Sequence, residues 1–266
     1  MRVTILGCGG SAGVPHIGGV DGLGDWGACD PTEPRNRRTR SSIVIESLQG
    51  QRLLVDTSPD MRTQLLACGI PSVDAILFTH AHADHITGLD DVRILNRIVK
   101  RPIQAFATRR TLDELAQRFD YAFRPWQPPM FFRPVLETNP IEFGETVEVA
   151  GMHVRVFEQD HGYMPTIGFR IGDFGYSTDV VGLDDAAFAV LAGVDTWVVD
   201  CFQRHAHKTH VHLEGVLAWA NRVGARRTIL THMGPDMDWA WLQARLPRDV
   251  EPGFDGLTLD MHEAVP

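Results

Sequence analysis

Within six residues, His80-Ala81-His82-Ala83-Asp84-His85 places three imidazoles and one carboxylate. Imidazole and carboxylate together suit zinc, and equally iron or manganese, better than calcium or magnesium alone. His80 and His82 sit two apart and can splay onto one metal. Asp84 and His85 follow on the next turn and can point toward a second. Histidine is abundant here, twelve in 266 residues, so clustering alone is a weak signal, and an exposed His-rich turn can be plain solvated surface. The HxHxDH spacing is far more demanding than a pair of histidines, and it follows directly on the apolar run Ala75-Ile76-Leu77-Phe78. A buried strand that ends in a ligand-dense turn holds its donors on a rigid edge.

Four further donors stand at the ends of strand-like runs: Asp56 after Arg52-Leu53-Leu54-Val55, His161 shortly after Val154-Arg155-Val156-Phe157, Asp179 after Gly175-Tyr176-Ser177-Thr178, and His232 after Thr228-Ile229-Leu230-Thr231. Any one of them could be a capped turn or a satisfied polar residue. In this order behind HxHxDH they read as one preorganised site.

The elements that must position these donors can be read from hydrophobic patterning. Strands are expected at 3–6, 42–46, 52–56, 75–78, 103–107, 146–149, 153–157, 167–171, 174–177, 196–199 and 227–230. Helices are expected at 59–68, 88–100, 109–119, 184–191, 213–223 and 238–245. In the first helix Met61, Leu65, Leu66 and Cys68 recur at helical spacing, and Gly69 suits the residue just past its end. Strands interspersed with helices imply sheets covered by helices. The stretches 7–40 and 121–140 read as irregular. Both are too long to be idle connectors, so both are expected to border a site.

Composition agrees with a soluble enzyme of one domain, residues 1–266, with 44% apolar and 22% charged residues. A net charge of −9 disfavours long nucleic acid as a partner and leaves room for a small anionic substrate. Cys8, Cys29, Cys68 and Cys201 are scattered and form no CxxC pair or disulfide framework. No apolar run approaches the roughly 20 residues of a membrane span, and the opening strand lacks the features of a signal peptide. A cytoplasmic location is expected, and a homodimer is plausible.

Asp56, the HxHxDH motif, His161, Asp179 and His232 together resemble the ordered motifs of the metallo-β-lactamase-fold hydrolases, and the match covers almost the whole chain. The resemblance implies an α+β fold, an αββα sandwich of two packed mixed sheets flanked by helices. It also implies two divalent metal ions, zinc by preference with manganese or iron as alternatives. One would be held by His80, His82 and His161, the other by Asp84, His85 and His232, with Asp179 bridging them and Asp56 orienting a ligand histidine. Two such cations about 3.5–4 Å apart lower the pKa of a shared water and polarise the electrophile. Asp84 could both ligate and aim that nucleophile. The ligands therefore indicate hydrolysis and leave the substrate open, among phosphodiesters, thioesters, lactones and lactams.

Substrate class rests on the segment from Asp200 to His212, which carries four more histidines. His205 and His207 read as polar surface. His210, just before the helix at 213–223, could protonate a leaving alkoxide, a step that phosphodiester cleavage needs. This arrangement is similar to the PhnP-like phosphodiesterases and, more distantly, tRNase Z. The opening Gly7-Cys8-Gly9-Gly10-Ser11-Ala12-Gly13-Val14-Pro15 adds to the similarity, as do the run from Arg35 to Ser42, Gly88-Leu89-Asp90-Asp91-Val92-Arg93 and Gly253-Phe254-Asp255-Gly256. The first long loop has no cysteine cluster of the kind that holds a structural zinc in PhnP-type proteins, so none is expected. The glycine-rich opening lacks GxGxxG and a Walker lysine, and reads as a tight turn passing near the metals rather than a nucleotide cradle.

Arg35, Arg37, Arg38 and Arg40 form the one dense cationic run. An anion-contacting role falls to one or two of them, with Arg40, and more weakly His16, as substrate-binding candidates. The expected activity is hydrolysis of a small phosphodiester, a nucleotide or cyclic ribose phosphate. The alternatives are a thioester or lactone hydrolase on the same scaffold, or a non-enzymatic metal-dependent ligand-binding module.

Overall fold

The computed structural model describes residues 1–125 and 133–261. Two seven-stranded sheets pack face to face. The first runs β14 (Thr258–Asp260), β1 (Arg2–Gly7), β2 (Ser42–Glu46), β3 (Arg52–Val55), β4 (Ala75–Leu77), β5 (Ile103–Ala107) and β6 (Leu136–Pro140). The second runs β13 (Val250–Pro252), β12 (Arg227–Thr231), β11 (Thr196–Asp200), β10 (Phe174–Ser177), β9 (Pro165–Ile171), β8 (Met152–Asp160) and β7 (Thr146–Val149).

Side-chain alternation explains why these strands read as near-continuous apolar runs. Ile43, Ile45, Leu53, Val55 and Leu77 point into the space between the sheets and meet Val154, Val156, Phe169 and Tyr176. Their neighbours Val44, Leu54 and Ile76 point the other way, under α1 (Met61–Ala67), α3 (Val92–Val99) and α4 (Arg109–Arg118), where they meet Met61, Leu65, Leu95, Leu112 and Leu115. A strand covered on both faces has no polar side to show. On the second sheet, α5 (Asp185–Leu191) and α6 (Leu213–Val223) bring Phe188, Leu191, Val216 and Ala220 into the central cluster.

Helix ends follow local chemistry. Asp184 Oδ1 accepts the Ala187 amide at 2.7 Å and so caps α5. Gly69 follows α1 with φ +65, and Ile70 N returns to Leu65 O at 2.9 Å.

The α+β sandwich and every predicted strand and helix are present, with ends shifted by a few residues. Three strands lie outside the predicted set, β6, β13 and β14. The irregular stretch 121–140 is thereby corrected in part, since β6 pairs in parallel with β5; its residues 126–132 lie outside the described residues. No helix among the described residues is long and apolar enough to cross a membrane.

In the parallel halves, β3-β4-β5-β6 and β10-β11-β12-β13, the strands point the same way. Their carboxyl ends therefore emerge together, which is where open α/β sheets place their sites.

Candidate metal centre

Each expected donor leaves from a strand end. Asp56 follows β3, His80 follows β4, His161 follows β8, Asp179 follows β10 and His232 follows β12. After His82 the chain turns at once into α2 (Ala83–Ile86), which carries Asp84 and His85. Three of these residues, Asp56, Asp179 and His232, adopt left-handed backbone with φ of 63, 53 and 55. A non-glycine residue there costs on the order of 1 kcal/mol or more, and Asp and His are among the types that tolerate it best.

The donors converge on Asp179. Its Oδ1 lies 3.9 Å from His80 Nε2, 3.7 Å from His161 Nε2 and 3.3 Å from His232 Nε2. Its Oδ2 lies 3.1 Å from His85 Nε2. Asp84 Oδ2 is 3.3 Å from His85 Nε2 and 3.6 Å from His232 Nε2. The result is two donor groups that share Asp179, one of His80, His82 and His161, the other of Asp84, His85 and His232.

Hydrogen bonds behind the rings set which nitrogen faces inward. Asp56 Oδ2 accepts from His85 Nδ1 at 2.7 Å, and Thr209 O accepts from His161 Nδ1 at 2.8 Å. Thr79 Oγ1 donates to Asp56 Oδ2 at 2.8 Å and lies 3.0 Å from His80 Nδ1, whose proton it can therefore accept. With Nδ1 engaged in this way, each of the three rings turns its Nε2 toward Asp179. The Nε2 atoms of His80, His85 and His232 are buried without a hydrogen-bond partner.

Buried ring nitrogens of this kind are costly unless something pairs with them. Donors about 2.1 Å from a tetrahedral cation lie roughly 3.4 Å apart, so the spacing around Asp179 suits divalent metal. The residues fit the group.

Charge balance points the same way. Burial lowers the basicity of His80, His82 and His161. Burial also opposes protonation of His85 and His232, yet the surrounding carboxylates win. Asp179, Asp84 and Asp56 hold His85 well above its usual range, and His232 is raised to about 9 by Asp179, Asp84 and Asp200. The same histidines hold Asp84 and Asp179 below the ordinary carboxylate range despite burial. Asp56 is pushed up by burial, against the pull of His85 and Thr79. A site that draws protons onto two imidazoles is one that accepts positive charge.

The sequence model of the beta-lactamase superfamily domain matches residues 51–233, which span every one of these donors. The chain belongs to the metallo-β-lactamase-fold superfamily. Within that superfamily it is PhnP-like, since a crystal structure described as a new diphosphatase from the PhnP family is 32% identical and covers 98% of both chains with a TM-score of 0.88. A ribonuclease Z from Mycobacterium sp. (strain KMS) is 28% identical over 87% of this chain and 93% of its own length. An octanoyltransferase from Porphyromonas gingivalis (strain ATCC BAA-308 / W83) is 30% identical over 97% of this chain. This chain spans about half of that relative, 51% of its length.

In this metallo-β-lactamase-fold chain His210 stands beside the donors. Its ring stacks on His232 at 4.7 Å and 19° and meets His161 edge-on at 4.9 Å. Asp200 Oδ2 holds its Nδ1 at 2.8 Å and also accepts the Val180 amide at 3.0 Å. Asp200 was absent from the expected site residues, although it ends β11 as Asp179 and His232 follow their strands.

The glycine-rich opening passes close by. Gly10 N bonds Met233 O at 3.1 Å, and a Cβ on Gly10 would lie 2.8 Å from Phe202 Cε2. The arginine run is largely engaged within the fold. Buried Arg38 donates to Met237 O at 2.6 Å, Arg35 pairs with Glu33 at 2.6 Å and lies over Trp239, and Arg37 lies over Trp26. Arg40 pairs with Asp60 at 3.1 Å, and the backbone of His16 pairs with Asp25. No described contact joins Arg40 or His16 to the donor groups.

Proposed function

We propose that this chain is a dinuclear, metal-dependent phosphodiesterase for a small anionic diester, a nucleotide or cyclic ribose phosphate, acting as one domain over residues 1–266. His80, His82 and His161 would hold one divalent cation and Asp84, His85 and His232 the other, with Asp179 common to both. Zinc is the metal proposed, and manganese and iron suit the same donors. Bound there, the pair supplies an acidified water and positive charge against the phosphate oxygens.

The chain's own residues do the rest. Asp84 accepts a hydrogen bond from the attacking water and aims it. Asp200 fixes the Nδ1–H of His210, which leaves Nε2 free to deliver a proton to the departing oxygen. The Asp200 carboxylate then stabilises the imidazolium as His210 is reprotonated.

The observation that carries this reading is His210, tethered by Asp200 and stacked on His232. A leaving alkoxide needs a proton, whereas a thiolate leaves without one, so a built-in donor favours phosphodiesters over thioesters. Turnover of 2′,3′-cyclic nucleotides and bis(p-nitrophenyl) phosphate, compared with thioesters and lactones at equal metal loading, tests it. Preferential hydrolysis of the last two would refute it.

The PhnP-family relative described as a diphosphatase favours a second reading, cleavage of a phosphoanhydride. A phosphate leaving group depends less on protonation. If that reading holds, His210→Ala retains activity on diphosphate substrates.

A further inference from the structure

Three rings in the loop between β11 and α6 face one another beside the donor groups. The ring centroid of Phe202 is 4.9 Å from that of His210 and 5.2 Å from that of His207, and His207 is 5.2 Å from His210. Phe202 is wedged from behind. A Cβ on Gly10 would lie 2.8 Å from its ring and one on Gly234 would lie 3.4 Å away, so both positions let backbone press on it. His207 is the exposed member of the three. Its Nδ1 accepts from the Thr209 amide at 3.3 Å and lies 3.2 Å from Thr209 Oγ1. That bond fixes the ring and leaves the proton on Nε2 free to donate.

The sequence assigned His207 to polar surface, yet the fold sets it against Phe202 and His210. The group that leaves from phosphorus departs on the side of His210, and the next surfaces it meets are Phe202 and His207. A flat ring edge combined with one N–H donor matches a heteroaromatic base, which stacks on any aromatic face and offers acceptors at its rim.

We propose that Phe202 and His207 form a nucleobase subsite, and that the substrate is a nucleotide diester whose base lies beside the leaving oxygen and stacks on His207. The proposal rests on the phosphodiesterase reading for its place in the reaction, but its test does not depend on turnover.

Equilibrium binding of AMP and of ribose 5-phosphate to the metal-loaded protein, measured by calorimetry, isolates the base. The wild-type chain should bind AMP about tenfold tighter than ribose 5-phosphate. His207→Ala should erase that difference and leave ribose 5-phosphate binding unchanged. His207→Phe keeps a ring and should keep AMP affinity within about threefold. Equal binding of the two probes by the wild type would overturn the proposal, as would a His207→Ala change that weakens both alike. Failure of the wild type to hydrolyse 2′,3′-cyclic AMP, with the AMP preference intact, would count against the phosphodiesterase reading and leave the base subsite standing.

Discussion

Asp56 touches both donor groups from behind, and that makes one substitution unusually diagnostic. It is fully buried, accepts from His85 Nδ1 at 2.7 Å, and reaches His80 through Thr79 Oγ1. His85 belongs to one group and His80 to the other. Asp56→Asn keeps the size of the side chain and the tolerance for left-handed backbone, but it puts an amide where a carboxylate oxygen accepted. His85 then loses its fixed tautomer, and the orientation of Thr79 Oγ1 toward His80 is no longer set.

Removing such a partner of a metal-binding histidine costs about 10- to 100-fold in affinity, or about 1.4–2.8 kcal/mol. Because Asp56 serves both groups, both metal equivalents should weaken together. Competition against a graded chelator, with metal content read by mass spectrometry, measures each equivalent. Thr79→Val provides the control, since it cuts the path to His80 and leaves the His85 bond in place, so it should weaken one equivalent only. Wild-type affinity in Asp56→Asn would refute the reasoning, and so would loss of a single equivalent.

Other outcomes follow from the same geometry. His210→Ala should keep its metal and lose about 10²- to 10⁴-fold in diester turnover; unchanged turnover would remove His210 from the proton step. Asp200→Asn should lower diester turnover while His210 remains, since the 2.8 Å bond that orients the ring is weakened, and unchanged turnover would argue against the tether. In chelated protein, His232 is raised from 6.5 to about 9, so its stabilising contribution is full below about 6.5 and lost as pH rises through about 9. Asp84 and Asp179 are lowered, so their contribution is present above 3.8 and fades as pH falls below it. Above about pH 7.5 the lowered histidines His80, His82 and His161 no longer contribute a pH dependence. Melting of the chelated protein should therefore show lower stability at about pH 9 than at about pH 7.5, and a flat profile across that interval would contradict the charge balance described above. Gly10→Ala forces a Cβ to within 2.8 Å of Phe202 and should destabilise by about 1–3 kcal/mol in denaturant titration.

The strand-end donors were legible because chemistry and pattern coincide there: an apolar run stops and a His or Asp follows. Asp200 obeys the same rule after Thr196–Val199, but it was obscured by the crowd of histidines that comes next. Which histidine Asp56 orients could not be read, because the 2.7 Å bond to His85 joins residues 29 apart in sequence. The three strands that escaped notice are short or lie at sheet edges. β13 ends in Pro252 and β6 in Pro140, residues that usually argue against a strand and are tolerated at an edge. β14 pairs with β1 across nearly the whole chain, with Arg2 opposite Asp260, a long-range pairing that no local window contains. His207 looked like surface and is indeed exposed; only the fold brings its ring against Phe202.

The left-handed backbone at Asp56, Asp179 and His232 also bears on how this chain can change. Glycine at any of these positions would relax the local conformation while removing a donor or its support. Asparagine would sit there with little protest and bind less well. The same three side chains are held by the buried pairs they make, His232 and His85 on Asp179 and His85 on Asp56, so the strain can be released only by breaking those pairs. Backbone strain and side-chain pairing are thus set against each other within the same three turns, and the site is held in place by a balance that no single substitution there can improve on both counts.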